Sequence, residues 1–195
     1  MPRSEQKNRE IRVVSRARII GHALRLFSDH GYDRTTIRMI AEAAGISQGL
    51  IYRYFPSKDA LLQAIFEQSM DDVRASFAAA DAEAKPAERI ERLIRASFEV
   101  LKTNEQFWRL SYGVRMQAAV LEKLGGRLQA WLGEIQSTLE TYLREARVPQ
   151  PEVEARILFA LIDGIAQHCV LDSSGYPLEA VVGRVIRRYQ GLPGG

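Results

Sequence analysis

Residues 35–58 read TTIRMIAEAAGISQGLIYRYFPSK, and their punctuation predicts two short helices around a tight turn. Thr36 is placed to cap a helix running to Ala44. Gly45 then supplies the left-handed backbone that ends it. Ser47 caps a second helix, which Pro56 terminates because proline cannot continue the hydrogen-bond ladder. Ile40 and Ala41 on the first helix are expected to face Ile46 and Ile51 on the second, with small Ala43 and Ala44 allowing close approach. The spacing is that of a helix-turn-helix. The second helix would project Gln48, Gly49, Tyr52, Arg53 and Tyr54 away from the core. Such groups reach base edges and phosphates when the end of a short helix enters a major groove. A helical hairpin with a solvated polar face has the same pattern, so the pattern leaves both readings open.

Upstream, Ile19, Ile20, Ala23, Leu24 and Phe27 line one face of a first helix that Gly31 stops. The basic stretch Arg3 to Arg18 is expected as a tail before it, either a flexible phosphate or minor-groove contact or a disordered spectator. Downstream, Ser57 caps a fourth helix with Asp59 in its first turn, continuing to about Ala80. The segment AADAEAKPAE, 79–88, is expected as a loop, with Pro86 opening a new helix. Ile90, Leu93, Ile94, Phe98 and Leu101 form a core-facing stripe, as do Leu121, Leu124, Leu128, Trp131, Ile135, Leu139 and Tyr142. Gly125-Gly126 predicts a break or kink in the latter. Pro149 and Pro151 open a further helix, and Gly175 and Pro177 separate it from a last one, Leu178 to Gln190. The fold class is therefore all-α with about nine helices, divided into a tail and three-helix helix-turn-helix region over 1–60 and a larger helical region over 61–195.

Charge follows the same division. Residues 1–60 hold 11 Lys and Arg against 6 acids, a net +5, while the remainder holds 16 against 18, a net −2. A basic head on a nearly neutral body suits a polyanion-binding module. The single cysteine, Cys169, allows no intramolecular disulfide and fits a reducing compartment. The most apolar stretch, Ile157 to Val170, is interrupted by Asp163, Gln167 and His168 and falls short of the roughly 20 residues a membrane span needs. The charged start, MPRSEQKNRE, is no secretory signal, so a cytoplasmic protein without membrane contact is expected. Three histidines (His22, His30, His168) and one cysteine give no nucleophile motif, phosphate-cradling glycine loop or metal-ligand spacing. Neither an enzyme nor a cofactor or metal is expected.

In detail the N-terminal region resembles the TetR family of bacterial regulators. The matching elements are Phe27, Gly31-Tyr32, Thr36 with Ile40-Ala41, Ala44-Gly45-Ile46-Ser47, Gly49, Ile51-Tyr52, Tyr54-Phe55 and Ser57-Lys58 with Leu61. The likeness is strong over 15–65 and looser beyond, where it rests on helix count and Ala160 to Gly164. It implies phosphate contacts for Thr36, Tyr52 and Lys58, and places Arg38, Gln48, Gly49, Arg53 and Tyr54 nearest the bases, with Ser47 in the same motif. Gln48 stands where lysine is frequent. Glutamine pairs bidentately with adenine and arginine with guanine.

The resemblance also implies a two-fold dimer on a pseudo-palindromic double-stranded operator, since one recognition helix buries little surface. The expected interface stripes are Ile157, Leu161 and Ile165 with His168, and Val182, Val185 and Tyr189 with Val181, two helices per chain forming a four-helix bundle. The middle helices would enclose a pocket for a small-molecule inducer, lined by Phe66, Phe98, Trp108, Tyr112, Met116, Trp131 and His168, with Arg109, Tyr112, Gln117 and His168 able to orient a ligand if they point inward. Each of these is also a reasonable core residue. An apolar or amphipathic ligand is the expectation for such a lining.

Overall fold

The computed structural model describes residues 3–80, 85–172 and 174–190, with side chains from Ile11 onward apart from Ala79, Ala80 and Ala87. Among these residues there are nine helices and no strand: α1 (Arg3–His30), α2 (Ile37–Ala44), α3 (Gln48–Tyr54), α4 (Lys58–Ala80), α5 (Pro86–Thr103), α6 (Glu105–Arg115), α7 (Ala118–Glu145), α8 (Pro151–Leu171) and α9 (Leu178–Tyr189). No helix among them is long and apolar enough to cross a membrane.

The chain packs as two compact units. One comprises Met1–Ser69 with Leu110–Gly125, the other Met70–Arg109 with Gly126–Gly195. The packing boundary thus falls inside α4, beyond the expected division at 60/61. The segment Leu110–Gly125, expected in the second region, packs in the first.

In the first unit α1 lays Ile19, Ile20, Ala23, Leu24 and Phe27 against α2, which answers with Ile37, Ile40, Ala41 and Ala44; all are buried. Burying a side chain of this size is worth about 1.5–3 kcal/mol, which sets the scale of the attachment. The expected tail is not a tail, because α1 begins at Arg3 and is continuous to His30. Helix propensity accounts for this: Arg3 to Arg18 contains no glycine or proline. The side chains of Arg3, Lys7 and Arg9 lie outside the described ones. In the second unit α5 buries Ile90, Leu93, Ile94, Phe98 and Leu101 and packs on α8 and α9.

Four expectations need correction. α7 runs unbroken through Gly125-Gly126, where a Cβ at either glycine would meet nothing within 4 Å. Two glycines cost roughly 2 kcal/mol of helix propensity, and the buried residues Val120, Leu124, Trp131 and Ile135 on either side hold the helix through them. Leu121 does not join that stripe but is exposed, and so is Ala43 on α2. The expected loop at 79–88 is helical up to Ala80 and from Pro86; residues 81–84 lie outside the described ones.

Candidate nucleic-acid interface

The two short helices are fixed by their ends. Thr36, extended at φ −110° and ψ 157°, accepts the Met39 N–H at 3.2 Å through Oγ1. Gly45, at φ +64°, is left-handed, and its N–H returns to the carbonyls of α2. Ser47 Oγ accepts the Leu50 N–H at 3.2 Å and opens α3. Phe55 closes α3, its N–H bonded to the Ile51 carbonyl at 2.8 Å, and Pro56 follows. Ser57 Oγ then accepts the Ala60 N–H at 3.0 Å at the start of α4. The N-terminal caps accept orphan N–H groups, and the C-terminal caps Gly45 and Phe55 donate their own N–H to orphan carbonyls.

With Ile51 fully buried, α3 turns Gln48, Gly49, Tyr52 and Arg53 outward. Tyr52 is 51% exposed, a large aromatic in water, while Tyr54 is half-buried. Thr36 and Ser47 are exposed beside them, and so is Arg38, which pairs loosely with Glu42 at 3.6 Å. The outward row therefore offers an amide, a phenol, a guanidinium and, at Gly49, bare backbone. These are the groups that bond base edges and phosphates.

Three basic residues engage groups of their own chain instead. Lys58, expected on a phosphate, is half-buried and donates to the carbonyls of Tyr32 at 2.9 Å, Thr35 at 3.0 Å and Asp33 at 3.3 Å. It also lies 4.3 Å from the centre of the Tyr32 ring. An ammonium has three donors, and here all three point at the loop before α2. Arg18 donates to the Ala44 carbonyl at the end of α2, where a cation also complements the helix dipole. Arg16 lies 4.7 Å over the Phe55 ring.

The same loop is held at its other groups. The buried Thr35 donates or shares its hydroxyl with the carbonyls of Gly31 at 2.8 Å and Leu26 at 3.0 Å. The Tyr32 hydroxyl donates to Asp59, which Lys123 approaches at 3.4 Å. Burial and the carboxylate push the Tyr32 phenol above its ordinary range, and its hydrogen bond holds the Asp59 carboxyl below the usual one. Gln117, expected to face a ligand, bonds backbone of this corner: its Oε1 accepts the Tyr32 N–H at 2.8 Å and its Nε2 donates to the Phe27 carbonyl at 2.9 Å. Sequence reading missed Thr35, Arg16, Arg18 and Gln117. Only Thr35 carries a local signal, as a threonine just past a glycine-ended helix.

The expected pocket residues fall in both units. In the first, Phe66 and Tyr112 are half-buried, with Arg115 lying 4.6 Å over the Tyr112 ring. Met116 is 71% exposed at the turn after α6, so it lines nothing. In the second, Phe98, Trp108 and Trp131 are buried, Trp131 edge-on to Phe159 at 6.1 Å. His168 is exposed and stacked on Tyr176 at 6.4 Å, which removes it from an interior lining.

The expected dimer stripes also divide. Ile165, Val182, Val185 and Tyr189 are already buried within one chain, and the Tyr189 hydroxyl donates to Glu154 at 2.7 Å. Such residues have little surface left for a partner. Ile157, 37% exposed, and half-buried Leu161 retain some. Leu161 borders a surface cleft of about 500 Å³ together with Arg184, Val185, Arg187 and Arg188.

Comparison with known proteins follows the same layout. The family model for bacterial regulatory proteins of the tetR family matches residues 19–65, and that for the C-terminal domain of BetI-type transcriptional repressors matches 86–190. The chain is 33% identical to the HTH-type transcriptional regulator BetI 1 of Chromohalobacter salexigens, over 85% of this chain and 84% of the relative. It is 28% identical to the HTH-type transcriptional regulator RutR of Escherichia coli K12, over 93% and 84%. Among solved structures, the fatty acid degradation regulator FadR of Bacillus halodurans superposes with a TM-score of 0.72 at 22% identity, covering 93% of this chain and 97% of that one. NalD of Pseudomonas aeruginosa, a secondary repressor of a multidrug efflux pump, gives 0.72 at 21%, covering 92% and 95%. These two likenesses are of fold.

Proposed function

The chain belongs to the tetR family of bacterial regulatory proteins, DNA-binding transcriptional repressors regulated by small-molecule ligands, and from that premise we propose how this member reads DNA. The N-terminal end of α3 enters a major groove. Gln48, Gly49, Arg53 and Tyr54 meet base edges there, with Arg38 beside them. Thr36, Ser47 and Tyr52 bond phosphates. Lys58 supports these contacts from behind through the Tyr32–Thr35 loop. The observation that carries the reading is the outward row Gln48, Tyr52 and Arg53 on a helix whose opposite residue, Ile51, is fully buried.

Residues 1–60 carry the DNA-contacting residues, with 110–125 packed against them, and the rest of 61–195 carries the sensor and the dimer contact. A second copy covers Ile157, Leu161 and the outer face of α9, placing two recognition helices one DNA turn apart, about 34–36 Å, on a pseudo-palindromic operator. A largely apolar or amphipathic inducer among Phe98, Trp108 and Trp131 of the second unit releases the operator by favouring an arrangement in which the two helices no longer dock together. The protein works in the cytoplasm, without a catalytic step or cofactor.

The test is a gel shift on DNA selected by the protein from a random pool. Tyr52→Ala should weaken binding to all sequences alike, whereas Gln48→Ala and Arg53→Ala should relax base preference, each by about 1–3 kcal/mol at the contacted pair. Indifference to all three substitutions would refute the assignment of α3. A monomer at micromolar concentration in light scattering would refute the dimer.

A further inference from the structure

Where a helix ends at a left-handed glycine, the residue after the glycine often donates its N–H back to the carbonyl five positions earlier. In α1 that pair is the Tyr32 N–H and the Phe27 carbonyl, with Gly31 at φ +84° between them. The structure makes only the shorter bond, from the Gly31 N–H to the Phe27 carbonyl at 3.1 Å. The amide of Gln117 is inserted between the other two groups, accepting from one at 2.8 Å and donating to the other at 2.9 Å. A primary amide carries acceptor and donor side by side, so one side chain satisfies both.

Gln117 stands in the turn between α6 and α7, and its own carbonyl accepts the first bonds of α7, from Val120 at 3.0 Å and Leu121 at 2.9 Å. Its backbone is thereby fixed while its side chain reaches α1. Tyr32 is held at every polar atom by residues distant in sequence: N–H by Gln117, carbonyl by Lys58, hydroxyl by Asp59. Four residues further on is Thr36, the cap of α2, and α2 packs on α3. A shift at Tyr32 is therefore passed to the recognition helix.

We propose that Gln117 is a positioning residue for DNA recognition, its amide holding the end of α1 open in the form that seats α2 and α3. When the amide is withdrawn, the Tyr32 N–H closes on the Phe27 carbonyl and the loop before α2 is drawn toward α1. This rests on the DNA-binding reading of α3. Gln117 touches no DNA and carries no charge, so it acts through geometry alone.

The experiment uses the full chain, a site selected by the wild-type protein from a random pool, and random-sequence duplex as the reference. Gln117→Met keeps the length of the side chain and removes both hydrogen bonds. It should lower affinity for the selected site about tenfold while leaving affinity for random duplex within about twofold, because the phosphate-binding charges are untouched. Gln117→Glu keeps the acceptor for Tyr32 and loses the donor to Phe27. At pH 8 it should fall between wild type and Gln117→Met, because the ionised carboxylate still accepts from Tyr32 and cannot donate to Phe27. Two results overturn the proposal: Gln117→Met selecting the site as well as wild type, or losing both DNAs equally, which is what general destabilisation would do. Should Gln117→Met fail to fold, the selectivity of Gln117→Glu at pH 8 decides by the same criteria. If the wild-type protein selects no sequence at all, the DNA reading itself fails and takes the proposal with it, an outcome distinct from a normal wild type with an indifferent Gln117→Met.

Discussion

The 8-residue α2 and 7-residue α3 are held in place differently from the 18-residue α5 and the 21-residue α8. The long helices of the second unit present continuous apolar stripes, and their polar contacts are mostly exposed ion pairs such as Arg95–Glu91 and Arg144–Glu140. The short helices bury four residues and one residue respectively, and side chains aimed at backbone atoms fix their ends. A helix of two turns has too little apolar face to set its own orientation, so caps and cation–carbonyl bonds do so. On the proposed reading position is critical in the head, because a recognition helix displaced by an ångström would lose its base contacts. In the second unit bulk packing suffices.

The largest effect should be shared by both units. Phe27→Ala in the first and Ile94→Ala in the second each remove a fully buried side chain and should cost about 3–5 and 2–5 kcal/mol in urea unfolding. A head that tolerated Phe27→Ala would show that its polar clamps, not its core, hold α1 and α2 together. A sharper contrast follows from cations. Lys58→Met keeps the aliphatic stem but removes a donor from each of three carbonyls, and should cost about 1–3 kcal/mol. Among the described residues only the Tyr32 carbonyl keeps another donor, the Thr35 N–H. Arg144→Met, in an exposed pair, should stay within about 0.5 kcal/mol. Equal losses would dissolve the distinction between the units.

The smallest effect concerns pH and has opposite sign in the two units. Asp59 is held below its ordinary range by the Tyr32 hydroxyl, so its contribution is present above the unfolded-state value and fades as pH falls through the folded one. Asp72 in the second unit is pushed up by burial, with one carboxylate oxygen buried and unbonded. Its contribution is present in acid and is lost as pH rises through its folded value. Asp59→Asn should therefore lower the melting temperature at pH 7, and Asp72→Asn should raise it. Both differences should shrink toward pH 3.

What the sequence disclosed follows the range of each interaction. Thr36, Gly45, Ser47 and Pro56 act within three or four residues of themselves, and all four are legible as helix punctuation. Lys58, Arg18 and Gln117 act on backbone 23 to 90 residues away, with nothing in the spacing to announce them. Lys58 and Arg18 were legible only as charge, and charge points first to phosphates. The stripes on α8 and α9 were legible as buried faces, yet a stripe does not say whether its own chain or a second copy covers it. Tyr189 and Val182 proved to face their own chain. Gly125-Gly126 was misread because local propensity was set against packing on both sides of the pair, and packing prevailed.

The discontinuity of the first unit bears on how such proteins can be recombined. A chimera that grafted residues 1–69 onto a foreign sensor would transfer Gln48 and Arg53 intact. It would leave behind Ser111, which meets Ser69 at 3.4 Å, as well as Gln117 and Lys123. The Phe27 carbonyl and Tyr32 N–H would have to find other partners, and the loop leading into α2 would settle differently. The compact unit is thus two stretches of chain, and on the proposed reading residues 110–125 would have to travel with the head for its operator specificity to be kept.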